Sequence, residues 1–394
     1  MSAGQALTPL PPVLDRLQRG AFTAGGLGLV TSFGFLAARP DQFFRSYLLA
    51  FVFCIGFPLG CLALLMVHHL TGGWWGLPIR KPLEAGMRTF PVLLILFIPL
   101  VFGLNRIYPW TNGAVTANPS LPFKHFYLSR DFFFVRAAIY FAIWLFLSYI
   151  MNKWSAEQDR TADQRFAKYL EGISGPGLIL FGITVTFASI DWVMSLEPGW
   201  FSTIYGMIFM VIYALGALAL VINISQATTN FAPVSHVVTR DQFNDLGNLM
   251  LTFVMLWAYL NFSQFLIIWA GNLKNEITFY MTRANGAWAG LALFLVLFHF
   301  AIPFLLLLQR SVKRRLKVLS IVCGALIVIS FVDMYWLVVP AFQPLGPRLH
   351  PLDLTLLVGI FGIWFGTYVW QLRRSPLLPL HDPRFEGTAT EFGD

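Results

Sequence analysis

Charge is what this 394-residue chain has least of. Asp, Glu, Lys and Arg together make up 12% of it, against 57% hydrophobic residues and a mean hydropathy of +0.67. A soluble domain carries about 25% charged residues, so a water-solvated globule is excluded. Cysteine is nearly absent too. Cys54, Cys61 and Cys323 each lie inside an apolar run, with no CxxC, CxxCH or ligand spacing. That excludes a cysteine-held iron–sulfur cluster, a zinc site or c-type haem, and leaves all three as small core residues. Haem b between helices needs axial histidines at matched depth, often two on one helix about 13 residues (~20 Å) apart. The seven histidines do not provide them: His68 and His69 are neighbours pointing different ways, His299 is alone on its segment, and His125, His236, His350 and His381 fall in loops or tails. Strands of about 10 alternating residues are missing, which excludes a membrane barrel. The net charge of +8 is not gathered into one patch, so nucleic acid is not an expected partner.

What is present is ten mostly apolar stretches, each long enough to cross a ~30 Å hydrocarbon core as helix. They run roughly over 20–37, 46–70, 89–107, 132–151, 174–194, 201–224, 246–270, 286–308, 318–339 and 354–373. The first resembles a secretory leader ending near Ala37 and Ala38, but Asp15 sits among its basic flank and its apolar run is long and glycine-rich, so it is expected to remain as a helix. With the stretches numbered in order, 18 of the 27 Lys and Arg fall on the side of the N-terminus and 9 on the other. The positive-inside rule then puts both termini in the cytoplasm.

The stretch from Cys61 to Pro91 concentrates titratable groups where one apolar segment ends and the next begins. His68 and His69 stand at the foot of the second segment, Trp74 and Trp75 suit the headgroup layer, and Arg80, Lys81, Glu84 and Arg88 lead into the third. Ionisable groups close to hydrocarbon are costly unless paired or hydrated, which makes them functional candidates. Gly56, Pro58 and Gly60 predict a kink or a close helix contact just before them. The charges of 153–172 read as a short amphipathic helix with a solvated face, the 108–131 connection as a docking surface, and the tail after Arg374 as a surface strap.

Two acidic motifs mark the other side. Asp191 precedes Pro198 by seven residues with Glu197 between them, and Asp333 precedes Pro340 by seven with Tyr335 between them. If the fifth segment corresponds to the ninth, segments two to five repeat as six to nine. Four is even, so the repeat is parallel, about an axis along the membrane normal. The expected fold class is an all-α polytopic membrane protein: a cytoplasmic arm (1–19), a first helix (20–42), two four-helix bundles (43–195 and 196–340), a last helix (341–374) and a cytoplasmic tail (375–394). In the seventh segment Tyr259, Asn261, Ser263 and Gln264 form a polar seam, with Asp245 at its inner end; His299 is placed in the inner third of the eighth. Such seams often serve only as hydrogen-bond glue between helices.

Proton handling is the chemistry these residue types suit. Imidazole titrates near neutrality and both donates and accepts, and burial raises a carboxyl pKa towards the useful range. His68, His69, Glu84 and Arg88 could load protons, and Asp191, Glu197, Asp333 and Tyr335 could release them, bridged by Tyr259, Gln264 and His299 across a gate. The bland alternative is a Glu84–Arg88 ion pair, with each aspartate capping or pairing locally.

The HHLTGGWWGLPIRKPLEAGMRTFP stretch, DWVMSLEPGWFSTIYG at 191–206, HFAIPFLLL at 299–307 and the pattern of Asp333, Tyr335, Trp336 and Pro340 together resemble the NrfD/PsrC-like membrane family of bacterial respiratory complexes, in particular the ActF-type subunits of alternative complex III. The resemblance implies a ten-helix subunit of the bacterial inner membrane, in a quinol:electron-acceptor oxidoreductase. Its partners would be a sister NrfD-like quinol-binding subunit, a periplasmic iron–sulfur subunit, multihaem and monohaem cytochrome c subunits, small membrane subunits and lipid. The sister would oxidise quinol. This type would hold no redox centre and supply a proton route, with quinone or lipid contact. The family's arginine pair is here Arg80 and Lys81, which keeps charge and loses one planar fork.

Overall fold

A computed structural model describes residues 12–112, 126–229, 231 and 239–379, and every regular element in it is helical. The long helices are α1 (Pro12–Gly34), α2 (Pro40–Thr71), α4 (Phe90–Ile107), α5 (Arg130–Thr161), α6 (Arg165–Trp192), α7 (Tyr205–Thr228), α8 (Arg240–Gly271), α10 (Gly286–Leu308), α12 (Leu316–Val338) and α13 (Pro351–Arg373). Short helices α3 (Leu77–Met87), α9 (Thr278–Arg283) and α11 (Arg310–Arg314) join them. Among the described residues, nine helices are long and apolar enough to cross a membrane, not the ten expected: α1 falls short. Its first turns carry Asp15, Arg16 and Arg19, and its remainder is rich in glycine. It nevertheless lies antiparallel along α13, where Gly25 and Gly28 meet Gly362 and Gly359 so closely that a Cβ on Gly25 would stand 2.6 Å from the Ile363 nitrogen. Small residues that let backbones touch are how helices associate without a hydrophobic driving force.

The burial pattern identifies the centre. α2 is apolar all round and the apolar window of α2 is 100% buried; for α7 the figure is 83%. A helix hydrophobic on every side belongs inside. They cross where a Cβ on Gly60 would come within 2.1 Å of the Tyr213 carbonyl oxygen, so the expected close contact is real, with Pro58 inside α2. The outer helices instead present apolar side chains outward, Ile95 and Phe102 on α4, Phe146 on α5, Ile267 on α8 and Leu293 on α10. Water would not tolerate such a surface and lipid does: this is an integral membrane protein. α2, α4, α5 and α6 pack in a closed ring, as do α7, α8, α10 and α12, with α2 and α7 against each other between them.

Chain direction puts the start of α1 and the end of α13 on one face, here the proximal face, where Arg373 bonds Asp15 and Gln18. Two expectations fail there. The charges of 153–172 do not form a separate surface helix: α5 runs on to Thr161, stops at Ala162 in the left-handed region (φ 56°), and α6 starts at Arg165. The charged stretch from Arg80 to Glu84 does not stay at the surface. After Gly72 and Gly73, both at positive φ, α3 turns back inward, and every residue from Leu77 to Met87 is buried against α2, α7 and α13.

Candidate functional site

Three buried charge clusters organise the molecule. The first is centred on Glu84. α3 carries Arg80, Lys81 and Glu84 on adjoining turns, all about 1% exposed. Glu84 accepts from Arg80 Nε at 3.1 Å, Lys81 Nζ at 2.9 Å and Ser155 Oγ at 2.6 Å, with Arg88 at 3.8 Å. Lys81 also reaches Asp159 at 2.5 Å, and Arg80 donates to Gln158 at 2.7 Å. Burial alone would push the Glu84 carboxyl up; Lys81 and Arg80, then Ser155 and Arg88, outweigh it and hold it down at about 2. Glu84 is therefore a fixed anion at neutral pH. That favours the ion-pair alternative for this residue over proton loading, and the pairing extends well beyond Arg88. His68 is fully buried at the start of α3, its ring edge-on to Trp75 at 5.2 Å and pressed against Gly76, where a Cβ would meet Nδ1 at 2.0 Å. His69 lies next to it at 5.7 Å between ring centres, and Trp74 is exposed.

At the distal face Asp191 of α6 is buried and takes a bidentate pair of bonds from Arg136 of α5, both 2.8 Å, plus the Tyr140 hydroxyl at 2.7 Å. Arg136 is held in turn by the Tyr127 carbonyl at 2.8 Å and lies over the Tyr127 ring. Sequence reading used Arg136 only to count charge. Its position one helical turn before Tyr140 inside the apolar run 132–151 was the available signal.

The third cluster belongs to the other ring. Asp333 of α12 accepts from Trp257 Nε1 at 2.7 Å and stands 3.4 Å from His299 Nδ1; the His299 ring lies tilted against Trp257, 4.2 Å between centres. His299 and Asp333 were expected at different depths. His299 is fully buried within the π-helical turn Val296–Ala301, whose extra residue rotates the side chains relative to an unbroken α-helix. Such bulges in α-helices are frequent at functional sites. Glu197 is not part of this trio: it pairs with Arg283 at 2.9 Å, a second cation missed as a site residue, buried at the end of α9 and bonded to the carbonyls of Trp336, Leu337 and Phe279. Tyr335 is buried beside Trp288.

The expected seam on α8 is split by helical periodicity. Trp257, Leu260, Gln264 and Ile268 face inward, and Gln264 accepts from Ser202 at 2.8 Å and donates to Tyr280 at 3.3 Å. Tyr259 lies two residues from Trp257, on the other side, 65% exposed; it does not bridge the clusters, and Asp245 is exposed. Tyr259 instead lines a cavity of about 630 Å³ with Phe262, Phe265, Trp336, Arg283 and Asp333, apolar over most of its wall.

One stripe joins the first two clusters. Along α5, Arg136, Tyr140, Trp144, Ser148, Asn152, Ser155 and Asp159 recur every three or four residues, over about 35 Å of helix. Asn152 accepts from Arg88 at 2.7 Å and donates to the Ser148 carbonyl at 2.8 Å, and a proximal-face crevice of about 710 Å³ reaches from Asp159 to Ser148. Between Ser148 and Tyr140, about 12 Å, stand Trp144, Trp192, Phe97 and Phe141 in mutual ring contact. Trp144 spends its one N–H on Thr184 at 2.9 Å.

Among the described residues no three His, Cys, Asp or Glu side chains converge as a metal site, and all three cysteines are buried and separate. His350 caps α13 with Asp353. His125, His236 and His381 lie outside the described residues, as do most of the 108–131 connection and the tail from 380. The fold and its clusters define the class: a polytopic helical membrane protein with clusters of buried acidic and basic side chains towards both faces. No family model matches the chain, and no curated protein matches it.

Proposed function

We propose that this chain is a non-haem membrane subunit of a quinol:electron-acceptor oxidoreductase, of the alternative complex III kind, and that it offers a proton path coupled to quinol oxidation in partner subunits. The α5 stripe carries the reading. It is polar from the Asp159 end to Ser148 and again from Tyr140 to Arg136, a length comparable to a ~30 Å hydrocarbon core. Two half-paths meet at the aromatic layer around Trp144, whose indole donates only and cannot relay. Wetting or rotation of that layer is the gate. In this reading the proximal face is cytoplasmic and the membrane is a bacterial inner one. The two rings of four are parallel repeats, Asp191 with Arg136 answering to Asp333 with His299. The sister quinol-binding subunit, the iron–sulfur subunit and the cytochrome c subunits are the partners that the quoted motifs imply.

The test is protons released per electron in native membranes. Tyr140→Phe is expected to lower the ratio with the complex assembled, as is Asp191→Asn in whatever fraction of the complex still assembles; an unchanged ratio leaves a structural anchor. A second reading, a free-standing transporter, draws on the cavity beside Asp333, which is also where quinone or lipid would make contact. Purification without accompanying cytochromes would favour it.

A further inference from the structure

The proximal crevice is a different kind of place from the distal cavity. It opens between the end of α13 and the edge formed by α4 and α5, and its rim is cationic. Arg88 points into it with its guanidinium between Asn152, Ser375 and Glu84. Lys153 and Arg374 are exposed on the same rim, and neither forms an ion pair among the described residues; Arg374 lies over the Trp370 ring at 3.8 Å. Counted with the Glu84 cluster behind the wall, Arg80, Lys81, Arg88, Lys153 and Arg374 stand against Glu84 and Asp159, a formal surplus of three positive charges. Below the rim the wall turns apolar, at Pro91, Leu145 and Tyr149, and exposed Leu94, Ile95 and Ile98 continue an apolar surface along α4. A cationic mouth over a lipid-facing apolar wall matches one chemistry: a phosphate carrying acyl chains.

We propose that this crevice binds an anionic phospholipid, its phosphodiester between Lys153, Arg374 and Arg88 and its chains along α4 and α5. Basic pockets between membrane helices serve anionic headgroups in this way. The site needs only that the chain sits in a bilayer and does not depend on the proton path.

The experiment uses the full chain, delipidated in detergent, with short-chain phosphatidylglycerol, phosphatidylcholine and inorganic phosphate as probes. Binding is followed by native mass spectrometry and by the rise in thermal midpoint. Phosphatidylglycerol is expected to bind and stabilise, with phosphatidylcholine and phosphate ineffective. Each removed cation should weaken binding about five-fold, so the double variant K153Q/R374Q should bind roughly 30-fold more weakly. Both residues are exposed, and the lipid-free midpoint of that variant reports whether it folds. R160Q/R165Q, removing two exposed charges elsewhere on this face, should bind as the parent does. Phosphatidylcholine binding as tightly as phosphatidylglycerol, or full affinity in K153Q/R374Q, would overturn the proposal. Displacement by inorganic phosphate would reassign the rim to free anions. Lipid binding lost in K153Q/R374Q with unchanged protons per electron would separate this site from the proton path.

Discussion

Glu84 offers a sharp test of whether the proximal cluster is sealed. Its carboxyl sits at about 2 in the folded protein against an ordinary 4.5. The folded state therefore holds the proton less tightly than the unfolded chain, and ionised Glu84 stabilises the fold. The gap corresponds to about 3 kcal/mol. That contribution is complete above about 4.5, shrinks as pH falls below it, and is gone at about 2, where the folded protein also takes the proton. Glu84→Gln removes the charge at every pH and leaves Arg80 and Lys81 with one anion fewer, a loss of about 3–5 kcal/mol at pH 7 for breaking a buried pair. Thermal unfolding in detergent of parent and Glu84→Gln, from pH 7 down to pH 3, reads both effects. The two midpoints should be well apart at pH 7 and converge below about pH 4.5. Parallel profiles with a constant offset would refute the reasoning, because the parent would then have no ionised carboxylate to lose there.

Asp191→Asn should destabilise by about 3–5 kcal/mol by leaving Arg136 buried without its anion, and combining it with Arg136→Leu should recover part of that loss; additive losses in a double-mutant cycle would argue against direct coupling. Trp144→Ala should open the aromatic layer and admit a passive proton leak in proteoliposomes, whereas Trp144→Phe, which keeps the ring and loses only the Thr184 bond, should stay tight. Gly25→Val should force α1 off α13, since even a Cβ there would lie 2.6–2.8 Å from backbone atoms of Gly362 and Ile363, and should appear as faster proteolysis within α1 while the rest of the chain stays resistant.

The legible parts of this fold were those set by composition and run length. Apolar stretches gave the helices because a bilayer allows little else, and the error at α1 came from glycines that raise apolar content without making a segment strongly hydropathic. Acidic groups were legible as positions and not as partnerships. Asp191 and Asp333 stand out in apolar helices, yet what each does depends on Arg136 and on His299, 55 and 34 residues away in sequence. No periodicity encodes that meeting. The π turn at Val296–Ala301 hides its register shift from any reading that assumes 3.6 residues per turn. The inward turn of α3 was not legible for a related reason: four charges within nine residues look like a link between segments, because single charges avoid hydrocarbon. What the rule omits is that charges travelling together can satisfy one another. Arg80, Lys81 and Arg88 bring their own counter-ion in Glu84, and α5 adds Asp159, so the group can enter the interior as a nearly neutral unit where any one member could not. With its carboxyl held down at about 2, Glu84 keeps one charge state across the neutral range, so it serves this unit as a counter-ion.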